Sequence, residues 1–298
     1  MRRIGLVVTA LCALCATSAA GTSADVGTTV EGALHSRALD GTLHFEIALP
    51  PGYSTSNARY PVVYFLHGLP AGSSAYRGMA SWLEGVLVAS GRRAIVVAPQ
   101  GARDGDSDPE YLDWGVGRDW ETALARELPN YVDAHFRTIA NRSGRALVGL
   151  SAGGYGAAIV ALHHLGTFSV IESWSGYFHP TDPSGRNALD LGSPAANARA
   201  SAHTVVAKLK RLFRARPTLL AFYVGSGDDR FLAENVELHR ELASNGVAHR
   251  FAVYPGGHAQ SLWDAHARAW LGLALDRMAR ELGRVALDEL ERPPPCVV

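Results

Sequence analysis

Apolar and polar positions follow two different periods along the chain, and the two periods alternate. Residues 43–49 alternate apolar and polar side chains, which is typical of a half-buried strand in an antiparallel edge region. Residues 61–66 form a continuous β-prone apolar run, which predicts a central strand covered on both faces. Further apolar strands are predicted at 94–98, 146–150, 169–174, 218–224 and 250–254.

Helical spacing of apolar residues fills most of the intervals between these strands. It predicts helices over 79–89, 120–136, 152–165, 203–213, 231–244 and 262–282. Pro129 lies inside the second of these and is expected to kink it, because proline lacks a backbone N–H. The alternation predicts βαβ units and an α/β fold: a mostly parallel central sheet flanked by helices on both faces, with antiparallel N-terminal strands.

Two segments show neither the strand period nor the helix period. Residues 101–117 are rich in Gly, Asp and Pro and are predicted to form a loop. Residues 181–202 are rich in Pro, Asn and Ala and are predicted to be an inserted cap or loop.

Residues 1–24 have the layout of a secretory signal peptide. Arg2 and Arg3 precede an apolar run over 4–16, and small residues follow it at 17–21. The apolar run is too short for a membrane span, so no stable membrane insertion is expected. We therefore expect an exported protein, secreted or otherwise extracytoplasmic (for example periplasmic).

Cleavage of this leader is predicted after Ala20 or Ala24. The remainder, residues 25–298, has the length of a single large α/β domain. We expect a flexible start at about 25–31 and a Pro-rich tail at 292–298.

The charge balance bears on the binding partners of the protein, and the cysteine content bears on disulfide bonds. Lys plus Arg and Asp plus Glu are both 28 in the 298 residues, so no basic field favours nucleic acid. Two of the three cysteines, Cys12 and Cys15, leave with the leader. Only Cys296 remains, and one cysteine cannot form an internal disulfide.

Chemically distinctive residues follow four of the predicted strands. In parallel α/β sheets, reactive groups collect at the carboxyl ends of the strands. His67 follows the strand at 61–66, and Ser151 follows the strand at 146–150 within Gly-Leu-Ser-Ala-Gly. An Asp-Asp pair at 228–229 and His258 follow the last two strands, so serine, acid and histidine occur in that order.

This order suits nucleophilic catalysis by serine. The Ser151 hydroxyl needs a base to take its proton, and His258 can be that base. Either Asp228 or Asp229 can orient the imidazole, and Asp229 is slightly favoured because it lies closer to the next predicted helix. The backbone N–H groups of Leu69 and Ala152 are the predicted oxyanion donors.

The remaining histidines and the aromatic residues say less about the function. His67 is interpreted as a brace for its turn and not as the base. The remaining histidines, His163 and His164 among them, show no metal-ligand spacing, and no phosphate-binding glycine loop occurs. No metal or other cofactor is therefore predicted. Aromatic residues that could line a substrate pocket are Tyr76, Trp114, Trp174, Tyr177 and Trp263.

The chain resembles the α/β-hydrolase family called "Putative esterase". The motifs that carry the resemblance are Tyr-Phe-Leu-His-Gly at 64–68, Gly-Leu-Ser-Ala-Gly-Gly at 149–154, Tyr-Val-Gly-Ser-Gly-Asp-Asp at 223–229 and Tyr-Pro-Gly-Gly-His at 254–258, followed by Trp263. This family includes S-formylglutathione hydrolases, feruloyl and acetyl-xylan esterases, and the antigen 85 mycolyltransferases. The resemblance covers about residues 43–273.

The resemblance implies an α/β-hydrolase fold and places the family's nucleophile, base and acid on Ser151, His258 and Asp228 or Asp229, with oxyanion donors at Leu69 and Ala152. The predicted function is an exported serine esterase that forms an acyl-enzyme on a small-molecule or cell-wall or polysaccharide ester. One alternative is an acyltransferase, in which an alcohol receives the same acyl group. A third is a non-catalytic cell-surface binding protein on a hydrolase scaffold.

Overall fold

One eight-stranded sheet organises the part of the chain that the structure describes. The computed structural model describes residues 27–106 and 111–291; the predicted signal peptide at 1–24 and the tail at 292–298 lie outside these residues. The strands are β1 (Thr28–Ser36), β2 (Gly41–Leu49), β3 (Val62–Leu66), β4 (Ile95–Pro99), β5 (Arg145–Leu150), β6 (Val170–Trp174), β7 (Leu219–Gly225) and β8 (Arg250–Tyr254).

The sheet has the order β1-β2-β4-β3-β5-β6-β7-β8. β1 is antiparallel to β2 and β2 is antiparallel to β4, and every other neighbouring pair is parallel. Register aligns the ends of the central strands, with Leu66 beside Gly149 and Leu150 beside Trp174. The predicted fold class, a mostly parallel sheet with antiparallel N-terminal strands, is confirmed.

Helices connect the strands close to their predicted positions. They are α1 (Met79–Ala89), α2 (Trp120–Thr122), α3 (Leu128–His135), α4 (Ala152–His163), α5 (Pro194–Ala200), α6 (Val206–Ala215), α7 (Leu232–Ser244) and α8 (Gln260–Glu291). A π-helical turn, Ala123–Glu127, separates α2 from α3, so the predicted helix over 120–136 is interrupted just before Pro129. Pro129 then lies in the first turn of α3, where its missing N–H is not required.

The central strands β3, β4, β5 and β6 bury both of their faces. Successive side chains of a strand point to opposite sides. Tyr64 and its alternate neighbours in β3 pack in a core that includes Tyr155 of α4, whereas Phe65 packs in a second core with Leu83 of α1 and Trp270 of α8. Helices therefore cover the sheet on both sides. Within the described residues, no helix combines the length and the apolar character that crossing a membrane requires.

The structure differs from one prediction at a loop position and adds detail to another. The start expected to be flexible at 25–31 belongs to β1 from Thr28 onward, because backbone pairing with β2 orders it even though its side chains are exposed. The predicted cap or loop at 181–202 contains α5, and a short 3-10 segment, Ala202–Val205, precedes α6. Pro at the first turn and a side-chain cap from Ser193 explain why α5 forms there.

Candidate active site

Ser151 lies on a sharp turn between β5 and α4. Its backbone has φ 55° and ψ −124°, a conformation that is strained for a residue with a side chain. The Ser151 N–H donates to the Trp174 carbonyl oxygen over 2.9 Å, which continues the pairing of β5 with β6. The hydroxyl is therefore held at the carboxyl edge of the sheet, at the N-terminus of α4.

Two glycines allow the chain to pack closely around this turn. A Cβ at Gly153 would lie 2.0 Å from the Leu66 carbonyl oxygen, and a Cβ at Gly68 would lie 2.8 Å from the Ser151 Cβ. Both contacts are too close for any side chain. Glycine at these positions brings the turn after β3 against the serine turn, as expected for the Gly-x-Ser-x-Gly pattern.

His258 bridges Ser151 and Asp228. Its Nε2 lies 2.8 Å from the Ser151 Oγ, and its Nδ1 lies 2.7 Å from the Asp228 Oδ2. Because an ionised carboxylate only accepts hydrogen bonds, Nδ1 carries the proton and Nε2 accepts from the serine hydroxyl. This is the geometry that a serine needs for deprotonation during attack.

His258 contacts Asp228 and not Asp229, the aspartate that the sequence slightly favoured. Asp228 is buried, and its Oδ1 also accepts the backbone N–H groups of Arg230 and Phe231 at 3.3 and 3.4 Å, so it both caps the following turn and contacts His258. Asp229 is exposed and lies 2.9 Å from the Arg186 guanidinium. The hydrogen bond and the charge of Arg186 lower the pKa of the Asp229 carboxyl. Adjacent positions of this turn thus differ in burial and in partner.

Backbone hydrogen bonds join the two loops that carry Asp228 and His258. The Ser226 N–H donates to the Tyr254 carbonyl oxygen and the Gly227 N–H donates to the Gly256 carbonyl oxygen, both over 2.8 Å. The parallel pairing of β7 with β8 thus continues into the loops. This continuity fixes the separation of the carboxylate and the imidazole.

The predicted oxyanion donors flank the serine. Ala152 is the first residue of α4, and Leu69 follows Gly68, which packs against the Ser151 side chain. Within the described part of the chain, neither backbone N–H has a hydrogen-bond acceptor. Both groups are therefore available to a ligand beside Ser151.

His67 braces the turn after β3, as the sequence suggested. Its Nδ1 lies 2.8 Å from the Gly68 carbonyl oxygen, and its Nε2 accepts the Gly101 N–H over 3.1 Å. Tyr111 donates its hydroxyl to the His67 carbonyl oxygen over 2.6 Å. Burial lowers the pKa of His67, which keeps the ring neutral. Both ring nitrogens are thus engaged by backbone groups.

Two aromatic rings flank the imidazole of His258. The rings of Phe231 and Trp263 each lie 5.3 Å from it, centroid to centroid, and the Trp263 indole donates to the Ser175 hydroxyl over 3.2 Å. Phe231 was not identified from the sequence, although its place three residues after Asp228 was a usable signal. Of the other aromatic candidates, Tyr76, Trp174 and Tyr177 are buried, and Trp114 is exposed.

Several histidines that look isolated in the sequence have partners in space. His163 and His164 both contact Glu121, and His239 contacts His249. The described residues also contain one group whose donor atoms are close enough to hold a metal ion, formed by His179, His203 and Glu234. These three residues are far apart in the sequence, so spacing gave no signal for them.

The sequence matches a known protein family over most of its length. Residues 36–269 match the family model Esterase, described as "Putative esterase". The chain belongs to this esterase family. An esterase of Mycobacterium tuberculosis (strain H37Rv) from the curated proteins is 29% identical to this chain over 237 residues. The alignment covers 71% of this chain and 51% of that esterase, so the chain spans about half the length of this relative.

Solved structures share the fold. A ferulic acid esterase superposes with a TM-score of 0.68 at 24% identity, covering 84% of this chain and 99% of that one. An S-formylglutathione hydrolase from Agrobacterium tumefaciens superposes with a TM-score of 0.66 at 20% identity, covering 86% and 97%. At these identities the likeness establishes the α/β-hydrolase fold of the esterase family.

Proposed function

We propose that this member of the esterase family hydrolyses carboxylic esters through Ser151, His258 and Asp228. The observation that carries the proposal is the position of His258, whose two ring nitrogens lie 2.8 Å from the Ser151 Oγ and 2.7 Å from the Asp228 Oδ2. The strained backbone of Ser151 and the burial of Asp228 support it, because both are features that a stable fold does not require by itself.

Acylation begins when the Ser151 Oγ attacks the ester carbonyl carbon and its proton moves to the His258 Nε2. The resulting imidazolium is stabilised by the buried Asp228 carboxylate at Nδ1. When the tetrahedral intermediate collapses, the bond to the alcohol oxygen breaks and His258 returns the proton to that oxygen. The alcohol leaves, and the acyl group remains on Ser151.

Deacylation repeats these steps with water as the nucleophile. His258 accepts a proton from water as the water oxygen attacks the acyl carbonyl carbon. Collapse then breaks the bond to the Ser151 Oγ, which takes the proton back from His258. The acid product leaves and the free hydroxyl is restored.

The negative oxygen of each tetrahedral intermediate would be held by the backbone N–H groups of Leu69 and Ala152. Ala152 directly follows Ser151, and Leu69 follows Gly68, which packs against the Ser151 side chain. This placement and the lack of another acceptor among the described residues support the role. Loss of one such donor typically costs about 2.7–4 kcal/mol of transition-state stabilisation.

The substrate that we propose is a small-molecule or cell-wall or polysaccharide ester, met outside the cytoplasm. The signal-peptide pattern of residues 1–24 supports export. The Phe231 and Trp263 rings beside His258 support an apolar or aromatic acyl group, and the likeness to a ferulic acid esterase is consistent with one.

A fluorophosphonate probe tests the nucleophile. The wild-type protein should be labelled at Ser151, and Ser151→Ala should abolish labelling while leaving the fold intact by circular dichroism. Ser226→Ala, in an exposed turn near the site, is the matched control and should be labelled normally. Absence of labelling in the wild type would favour a non-catalytic binding protein.

A panel of esters separates hydrolysis from transfer. Acetyl, butyryl, feruloyl and longer-chain p-nitrophenyl esters should release p-nitrophenol and free acid in water alone. An added alcohol would divert the acyl group into a new ester if the protein is instead an acyltransferase. Product analysis with and without the alcohol distinguishes the two outcomes.

A further inference from the structure

Three potential metal ligands from three segments converge beside the first turn of α7. His179 follows β6, His203 lies in the 3-10 segment before α6, and Glu234 lies in the first turn of α7. The His179 Nδ1 is 2.6 Å and the His203 Nε2 is 3.5 Å from the Glu234 Oε1, and the donor atoms all lie within 4.8 Å of one another. Two imidazoles and one carboxylate form a ligand set that zinc sites use.

We propose that His179, His203 and Glu234 bind one divalent transition-metal ion, with Zn²⁺ as the best match, in a site separate from Ser151. Bonds of about 2.0–2.2 Å to nitrogen and oxygen place tetrahedral ligand atoms about 3.3 Å apart. The observed separations lie on both sides of that value, so small side-chain adjustments suffice. Water supplies the remaining position.

The hydrogen bonds around the cluster orient its ligands toward a common point. The His203 Nδ1 lies 2.7 Å from the Glu241 Oε2, so Nδ1 carries a proton and Nε2 can present its lone pair toward Glu234. A carboxylate on the second nitrogen is the usual support of a metal-bound histidine. The Phe178 N–H donates to the Glu234 Oε1 over 2.7 Å, which fixes the ligating carboxylate.

The charges near the cluster favour a cation. Glu237 and Glu241 line the same depression as Glu234. Arg186 and Arg230 also line it, but the Arg186 guanidinium pairs with Asp229 and the Arg230 guanidinium lies over the Phe231 ring. Among the described residues, no lysine or arginine forms an ion pair with Glu234.

A second cluster of two histidines and one glutamate, formed by His163, His164 and Glu121, already contains a cation. Glu121 contacts His163 and His164, yet the Arg199 guanidinium occupies both of its carboxylate oxygens at 2.9 and 3.1 Å. This internal cation takes the place that a metal ion would need. The Glu121 cluster is therefore a natural control for the Glu234 cluster.

A metal ion at Glu234 would join three segments near the esterase site. The next residue of α7, Asn235, donates its amide to the Gly176 carbonyl oxygen over 2.7 Å, and Phe231 before α7 contacts His258. The ion would therefore be structural, and its binding should raise the stability of the folded protein.

Calorimetric titration of the chelator-treated protein with Zn²⁺ tests the site. One equivalent should bind, the unfolding temperature should rise with added Zn²⁺, and Co²⁺ should give visible absorption typical of nitrogen and oxygen ligands. His179→Gln and Glu234→Gln should each remove this binding, and Glu241→Gln should weaken it by about 10–100-fold. His164→Gln, in the Glu121 cluster, should bind Zn²⁺ like the wild type.

Circular dichroism of each variant separates lost ligands from lost folding, and His179→Gln is the variant least apt to unfold because that side chain is 37% exposed. The proposal is overturned if no saturable binding occurs, or if His179→Gln and Glu234→Gln both fold and bind normally. It is also overturned if binding disappears only in His249→Gln, which would assign the ion to the His239–His249 pair.

Discussion

Two clusters in this protein place histidine against a buried carboxylate, and they differ in what surrounds the pair. At the proposed active site, Asp228 contacts one nitrogen of His258 and a serine hydroxyl contacts the other. In the second cluster, Glu121 receives His163, His164 and Arg199 together, and a backbone carbonyl contacts the second nitrogen of His163.

A histidine–carboxylate contact therefore does not by itself indicate catalysis. A proton can be relayed only where the far nitrogen meets a group that can give one up, as Ser151 does for His258. Around Glu121 the neighbours instead stabilise a fixed negative charge. Burial alone would raise its pKa, but the hydrogen bonds from His163 and His164 and the charge of Arg199 outweigh burial and lower the pKa to about 2.

Asp228→Asn should have the largest effect on activity among the changes that leave Ser151 and His258 in place. Without a carboxylate at Nδ1, His258 loses its preferred tautomer and the support for its positive charge. We expect kcat/KM for p-nitrophenyl acetate to fall by about a thousand- to ten-thousand-fold, or about 4–5.5 kcal/mol of barrier. Steady-state kinetics on folded protein measures this loss.

Asp229→Asn is the matched control, since it makes the same chemical change one residue away. Asp229 is exposed and forms a surface ion pair with Arg186, so kcat/KM should stay within about twofold of the wild type. Equal losses in both variants would contradict the assignment of the acid to Asp228.

This control also marks the limit of what the sequence could predict. The order of strands placed Ser151, the aspartate pair and His258 at one sheet edge, because parallel strands end together. Nothing local distinguished Asp228 from Asp229. The choice depends on the backbone path of the turn after β7, which the hydrogen bonds from Ser226 and Gly227 to the loop after β8 determine.

Glu172 extends the comparison to a buried carboxylate with neither histidine nor arginine. It is fully buried in β6, and the Trp174 indole donates to its Oε2 over 3.0 Å. Burial raises its pKa to about 8, and the single hydrogen bond offsets this only in part. Glu172 should therefore be protonated in the folded protein at neutral pH.

A pH dependence of stability follows from this pKa. The unfolded chain releases the Glu172 proton near its ordinary pKa of 4.5, whereas the folded protein retains it up to about 8. Stability should fall as pH rises between these values, by up to about 4 kcal/mol from pH 5 to 8. Urea unfolding of Glu172→Gln should show this slope removed, and the exposed Glu237→Gln should retain it. An unchanged slope in Glu172→Gln would show that the carboxylate is ionised in the fold.

Glu121→Gln tests the structural half of the comparison. The substitution removes the negative charge and leaves His163 and His164 one uncharged amide oxygen as acceptor, and we expect a loss of about 3 kcal/mol in the free energy of unfolding. The wild-type contribution is present above pH 4.5 and is lost as pH falls toward 2. Urea titration measures the loss, while kcat/KM of the folded fraction should not change. A large loss of kcat/KM would make Glu121 part of the active site.

The partners of Glu121 could not be predicted from the sequence. Residue spacing along the helix that carries His163 and His164 shows no partner for either histidine. The acceptor comes from α2, more than forty residues earlier, and reaches them only after α2 packs near the end of α4. Contacts between packed helices leave no short-range pattern in the sequence. The ends of predicted strands do leave one, and it singled out Ser151 and His258 as candidates.

Arg199→Gln should have the smallest effect and decides which neighbours stabilise Glu121. The Arg199 side chain is 60% exposed, whereas the His163 and His164 side chains are 13% and 14% exposed. An exposed cation contributes about 0–1 kcal/mol, so Arg199→Gln should lose far less stability than Glu121→Gln. A loss equal to that of Glu121→Gln would mean that Arg199, and not the histidines, holds the charge. Arg199→Gln also removes the guanidinium that pairs with Glu121. A Zn²⁺ titration of this variant tests whether His163, His164 and Glu121 bind a metal ion when no guanidinium competes for the carboxylate.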